Sequence, residues 1–229
     1  MALEIMESTT KEPWSTKRCI IYAIISLLLG AIIFTFAYIG MNQHTGLGTF
    51  NKPVLSWIVD HRQTQITEIA KYITMIAEPI ILASIASIIA IIWAIINREI
   101  WRPILLTATV GGAMVSSLIL KALISNDRPA HDFMIKPFET GYSFPSGHTI
   151  CIMVLLSIIG YLICSRHSSS CRTFSWIVVV KIGVIVIAVS RLYLGYHWIT
   201  DVVASIGLGF IILAIAIFAD RIVSRRLED

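Results

Sequence analysis

The chain has 229 residues, 56% of them hydrophobic and 14% charged, with a formal net charge of +4. A soluble domain carries about 25% charged residues, and here the apolar residues run together in long blocks instead of alternating, which excludes an ordinary water-soluble core and indicates a polytopic membrane protein. The net charge is small and no basic stripe is interleaved with aromatics, so nucleic acid is excluded as a partner; the partner implied by composition is the bilayer.

Residues 1–18 form an expected cytoplasmic segment. The first apolar run, Cys19–Met41, is too long for a signal-peptide core and no small-x-small cleavage site follows it, so it is a retained span. Residues 42–72 make a loop on the outer side. Within it Val54, Leu55, Ile58 and Val59 recur at helical spacing beside Trp57, which predicts a short helix lying in the interface. Five further runs follow, at Ile73–Ile96, Pro103–Lys121, Thr149–Cys164, Thr173–Leu192 and Val202–Ala219. A helix needs ~20 apolar residues to cross the hydrocarbon, and the fourth run meets that length by starting at Ser146. Backbone polar groups have no water to bond to in lipid, so the spans are helices and the fold is an all-α bundle of six transmembrane helices, a single domain over 1–229. Glu78, before Pro79 near the outer end of the second run, is expected as an interfacial helix cap or ion-pair partner. Lys181, which interrupts the fifth, should face the bundle or snorkel inward without a catalytic role. Cys19, Cys151, Cys164 and Cys171 lack the paired spacing of a zinc site or disulfide framework and are expected as apolar filler.

Orientation follows from the cations in the loops. With both termini cytoplasmic, the inner segments carry ten: Lys11, Lys17, Arg18, Arg98, Arg102, Arg166, Arg172, Arg221, Arg225 and Arg226. The outer segments carry seven: Lys52, Arg62, Lys71, Lys121, Arg128, Lys136 and Arg191. Three of those seven belong to chemical clusters. The expected place is therefore the cell membrane, multi-pass, with the clusters facing the extracytoplasmic side.

The clusters lie between 121 and 201. Lys121 and Arg128-Pro129 come first, Pro145-Ser146-Gly147-His148 second, and Ser190-Arg191, His197 and Asp201 third. Each falls at a span end on one side of the membrane. Arg128 and Arg191 offer planar forks to phosphate oxygens and Lys121 adds a compact charge. Pro145 suits a first helical turn, from which Ser146 and Gly147 can aim N–H groups at an anion, and glycine lets the anion approach. His148 follows beside that anion, where a proton donor is wanted. His197 and Asp201 are four apart, one helical face, so the carboxylate can orient one ring nitrogen and leave the other free to attack. Any one of these features alone is ordinary. An isolated histidine near a helix end is usually polar surface, and a lone arginine usually snorkels. Three in order on one face are not ordinary. The other polar loop residues, His131, Asp132, Lys136 and Glu139, are expected to be solvated, and Phe133, Met134, Phe138, Tyr142 and Phe144 to anchor the loop at the interface.

These clusters resemble the type 2 phosphatidic acid phosphatase family, of the acid phosphatase and vanadium haloperoxidase superfamily, and in particular its bacterial integral-membrane lipid phosphatases. The family pattern of Lys, six residues, Arg-Pro; then Pro-Ser-Gly-His; then Ser-Arg, five residues, His, three residues, Asp is matched at every position. The resemblance implies that His197 attacks phosphorus and forms a phosphohistidine, that His148 protonates the departing oxygen, and that Asp201 orients His197. Lys121, Arg128, Ser146, Gly147 and Arg191 would bind the phosphate. It implies neither metal nor other cofactor, which agrees with the lack of carboxylates clustered beside the histidines. The implied substrate is a lipid phosphate or pyrophosphate: undecaprenyl pyrophosphate, phosphatidylglycerol phosphate, phosphatidic acid or diacylglycerol pyrophosphate. A lipid phosphotransferase would use the same residues. An anion transporter or channel is the rival of another class, and it would place charges at several depths rather than at one face.

Overall fold

The computed structural model describes residues 13–166 and 169–228; most of the expected N-terminal cytoplasmic segment lies outside them. The elements are α1 (Thr16–Gln43), a 3-10 turn (Gly46–Phe50), α2 (Asn51–Asp60), α3 (Thr64–Ile76), α4 (Pro79–Asn97), α5 (Trp101–Ile124), a second 3-10 turn (His131–Phe133), α6 (Gly147–Arg166), α7 (Ser170–Tyr193) and α8 (Ile199–Glu228). Six of the helices, α1 and α4 to α8, are long and apolar enough to span a bilayer. No strand occurs among the described residues.

The bundle is built around α6. Of its most apolar window 67% is buried, against 17% for α1 and for α4. It packs against α4, α5, α7 and α8, whereas α1 lies along α8. The outward surface is apolar, with Ile95, Ile96, Ile100 and Leu123 all largely exposed. That distribution suits a lipid solvent, where apolar exposure costs nothing. The α1–α8 seam uses small residues. A Cβ at Gly207 would stand 2.6 Å from Phe34 N and 2.8 Å from Gly30 O, so the two backbones touch there. Close approach of this kind replaces the hydrophobic effect as the force between helices in lipid.

At one end of the bundle, opposite the sequence clusters, Asp220 gathers several donors. It accepts from Trp101 Nε1 (3.0 Å), Tyr161 Oη (2.6 Å) and Arg221 Nη2 (2.6 Å) and is itself fully buried. Glu99 pairs there with Arg102 at 3.4 Å and with Arg166. This network ties α5, α6 and α8 together.

Several expectations change. The run Ile73–Ile96 is two helices, not one. Pro79 has no N–H, and it pushes Glu78 out of the helical region (φ −52°, ψ 129°). Ile73–Ile76 therefore form the last turn of α3, and the span begins at Pro79. A short helix is present around Trp57 as α2, followed by α3, which packs on α7. Pro145 lies two residues before α6 instead of in its first turn. Phe144 and Met134 are core residues, not interface anchors. Phe144 is wholly buried and meets the rings of Phe34 and Tyr38 edge-on, and Met134 packs with Ala70, Leu194 and Tyr196. Lys181 is exposed on the bundle exterior and lines an apolar groove with Trp14, Tyr161 and Trp176.

Candidate active site

The site forms where α5, α6, α7 and α8 end together, closed over by the 125–146 loop. Ser125 takes a left-handed conformation (φ 54°) that stops α5 one turn after Lys121, and its N–H returns to Lys121 O at 3.0 Å. The chain then crosses toward the α7–α8 turn. Gly195 (φ 77°) permits that approach, because a Cβ there would collide with the Phe133 carbonyl. Arg62 pins the same contact, donating to Tyr193 O (3.0 Å) and Phe133 O (2.7 Å).

His197 sits at the start of the α8 entry, almost fully buried. Its Nδ1 donates to Asp201 Oδ2 at 3.2 Å, which makes Nε2 the nitrogen with the free lone pair. Asp201 is held in turn by Trp198 N–H (2.9 Å) and lies 3.5 Å from Asn126 Nδ2. Asn126 is fixed by Ser143 Oγ at 2.8 Å. Arg128 Nη1 stands 3.4 Å from His197 Nε2 and donates to Tyr196 O at 2.7 Å, so a group gripped by Arg128 lies within reach of that nitrogen. Burial first, then the charges of Arg191, Arg128 and Lys121, hold the His197 imidazole well below its ordinary range, in its neutral form.

Lys121 Nζ donates to the carbonyls of Tyr142 (2.7 Å) and Ser143 (3.1 Å). Arg191 has no solvent exposure, and its guanidinium lies 4.6 Å over the Tyr196 ring. Arg191 Nε and Nη1 have no acceptor within the protein. A buried fixed charge with unfilled donors is costly, so the fold prepares those nitrogens for an anion.

Ser146 differs from expectation. Its N–H points to Asp201 O at 3.4 Å, its Oγ accepts from Thr149 Oγ1 at 3.0 Å, and its carbonyl accepts from Ser205 Oγ at 3.0 Å. It joins α6 to α8 rather than turning its N–H into the site. The N–H groups of Gly147, His148 and Thr149 lie in the first turn, where intrahelical acceptors are lacking, and the Ile150 N–H returns to Ser146 O at 3.1 Å. A Cβ at Gly147 would make only ordinary contacts, with Ser117 Oγ at 3.5 Å and Pro79 Cγ at 3.7 Å. The protein's own packing thus does not require glycine there. All eight residues singled out from the sequence nevertheless converge on one end of the bundle. Among the described residues no group of His, Cys, Asp or Glu is arranged to hold a metal ion.

Two acids join the site that sequence reasoning did not assign to it, Glu78 in the ion-pair role expected of it as one alternative. Glu139, expected as solvated loop, bridges both arginine forks, at 2.9 Å from Arg128 Nη1 and in direct contact with Arg191. Glu78 lies 3.0 Å from His148 Nε2. A signal for Glu139 did exist: two forks and a lysine gathered at one buried point need a counter-charge, and the connecting loop is where one would come from.

Residues 102–222, which include all three clusters, match the family described as the PAP2 superfamily. The chain belongs to the PAP2 superfamily. Phosphatidylglycerophosphatase B of Bacillus subtilis (strain 168) is 29% identical over 121 residues, 50% of this chain and 56% of that protein. The chain thus matches little more than half the length of that relative. The crystal structure of the first transmembrane PAP2 type phosphatidylglycerolphosphate phosphatase from Bacillus subtilis superimposes with a TM-score of 0.74 at 23% identity, over 85% of this chain and 94% of that one. The six-span PAP2 fold is therefore shared through nearly the whole bundle.

Proposed function

We propose that the protein is a metal-independent membrane lipid phosphatase, a hydrolase of phosphoric esters, working through a phosphohistidine at the extracytoplasmic face. The observation that carries this reading is the buried Arg191, with Nε and Nη1 lacking acceptors, beside a neutral imidazole whose Nε2 is 3.4 Å from Arg128. A phosphate entering the site exchanges with the Glu139 carboxylate for the two forks. His197 Nε2 then attacks phosphorus as the bond to the lipid oxygen breaks, and His148 gives that oxygen its proton. Asp201 stabilises the charge that develops on the His197 ring. In the second half, water attacks phosphorus as the N–P bond breaks, passes a proton to the now neutral His148, and frees inorganic phosphate and His197. Lys121, Arg128 and Arg191 supply the positive charge that a metal would otherwise bring.

The substrate class is a lipid phosphate. A cleft of about 720 Å³ opens beside Arg128, between the end of α1, the Gly46–Phe50 turn and the end of α5. Tyr38, Met41 and Leu123 give it an apolar wall, and Lys52 and Asn126 a polar one, which suits a headgroup entering sideways while its tail stays in the bilayer. Phosphatidylglycerol phosphate is the leading member, on the activity for which the sequence relative and the matching crystal structure are named; phosphatidic acid and undecaprenyl pyrophosphate are the comparators. Phosphate release by the purified protein across these lipids tests the reading. We expect turnover of at least one and its abolition by His197→Ala with the fold retained. Retained turnover in that variant, or no release from any lipid phosphate, overturns it. Sidedness is tested by a tag after Arg226, which should be reachable only from the cytoplasm.

A further inference from the structure

The proton donor has a partner of its own. Glu78 is the N-cap residue of α4, yet its side chain makes no capping hydrogen bond. Pro79 at the first helical position has no N–H to be capped, and the extended backbone at Glu78 turns the carboxylate toward α6. There Glu78 Oε2 stands 3.0 Å from Nε2 of His148, whose ring is nearly buried.

We propose that Glu78 is the positioning residue of the proton donor, holding His148 Nε2–H so that Nδ1 carries the proton given to the lipid oxygen. This rests on the acid role assigned to His148 above. The need is electrostatic. An acid must be positively charged before it gives its proton, and His148 shares its pocket with Lys121, Arg128 and Arg191, which oppose a further charge. With little water at the ring, a carboxylate on the far nitrogen is the compensation within reach. In the transfer, the Nδ1–H bond breaks as the O–H bond of the alcohol forms, and the ring is left neutral with Nε2–H still on Glu78. The site then contains two imidazole–carboxylate pairs with different tasks. His197–Asp201 is sealed from solvent, which suits a nucleophile. In the second pair His148 is nearly buried and half of the Glu78 side chain is exposed, which gives the acid a route for proton exchange between turnovers. A helix start alone has no use for an ionised acid here, since a glutamine would serve it equally.

The test compares phosphatidylglycerol phosphate with its analogue in which sulfur replaces the bridging oxygen, whose thiolate departs without needing a proton. Steady-state kcat and KM are measured for the full-length protein, Glu78→Gln, Glu78→Asp and His148→Ala, with thermal melts to confirm folding. We expect Glu78→Gln to lower kcat on the oxygen ester about tenfold more than on the sulfur ester, with KM little changed. Glu78→Asp should recover part of the loss, and Glu78→Gln should add nothing in the His148→Ala background. If His148→Ala discriminates between the esters and Glu78→Gln does not, the role of Glu78 falls and the acid assignment stands. Should His148→Ala itself fail to discriminate, both fall.

Discussion

Replacing Asp201 by asparagine keeps the volume and an acceptor for the Trp198 N–H, and it removes one buried negative charge. Asp201 Oδ2 lies 3.2 Å from His197 Nδ1 in a pair with almost no solvent access. In the proposed mechanism the ring becomes cationic as Nε2 bonds to phosphorus, and the carboxylate would stabilise that charge. With charge centres about 4 Å apart and an effective dielectric of about 20, the interaction is about 4 kcal/mol, or roughly a thousandfold in rate at 1.36 kcal/mol per decade. Loss of the tautomer preference adds to this; in the serine-protease triad the equivalent change costs about 10⁴. Asp201→Asn should therefore lower kcat by about 10³ to 10⁴ while lipid binding and the melting temperature change little. The assay is phosphate release from phosphatidylglycerol phosphate in mixed micelles, with an alkaline quench to count phosphoenzyme. A variant within tenfold of the parent kcat would refute the carboxylate's role at His197.

The remaining expectations follow from the same geometry. Burial and three cations hold the His197 imidazole below its ordinary range, so protonation of the nucleophile should cut kcat/KM only below about pH 6.5; an acidic limb above that value, measured with an aryl phosphate of low second pKa, would contradict the neutral assignment. Glu139→Gln removes the carboxylate shared by Arg128 and Arg191, and vanadate should then inhibit at roughly tenfold lower concentration, about 1.4 kcal/mol. Unchanged inhibition would mean that Glu139 does not compete with phosphate for the forks. Asp220→Ala strands the buried donors of Trp101 and Tyr161 at the opposite end of the bundle. It should cost about 3 kcal/mol and lower the melting temperature in detergent, and an unchanged melt would remove that network from the stability of the fold.

The long apolar runs, read with the rule that lipid tolerates no unpaired backbone, were enough for six helices, because hydropathy is a local property summed over about 20 residues. The break before Pro79 was also local and legible, since proline acts on its own residue and its neighbour; only the apolarity of Ile73–Ile76 hid it. The eight motif residues could be gathered at one face because hydropathy says which end of a span each occupies. Depth along the membrane normal is readable from sequence, but position within the membrane plane is not. That second coordinate depends on which helices pack together, through contacts such as Gly30 on Gly207 and the central burial of α6. Tertiary structure alone therefore decided that Glu139 spans two arginines, that Glu78 meets His148 from a neighbouring helix, and that Phe144 is core. A carboxylate in a loop has the same local signature whether it meets water or a guanidinium, and only the folded chain brings the partner within 3 Å.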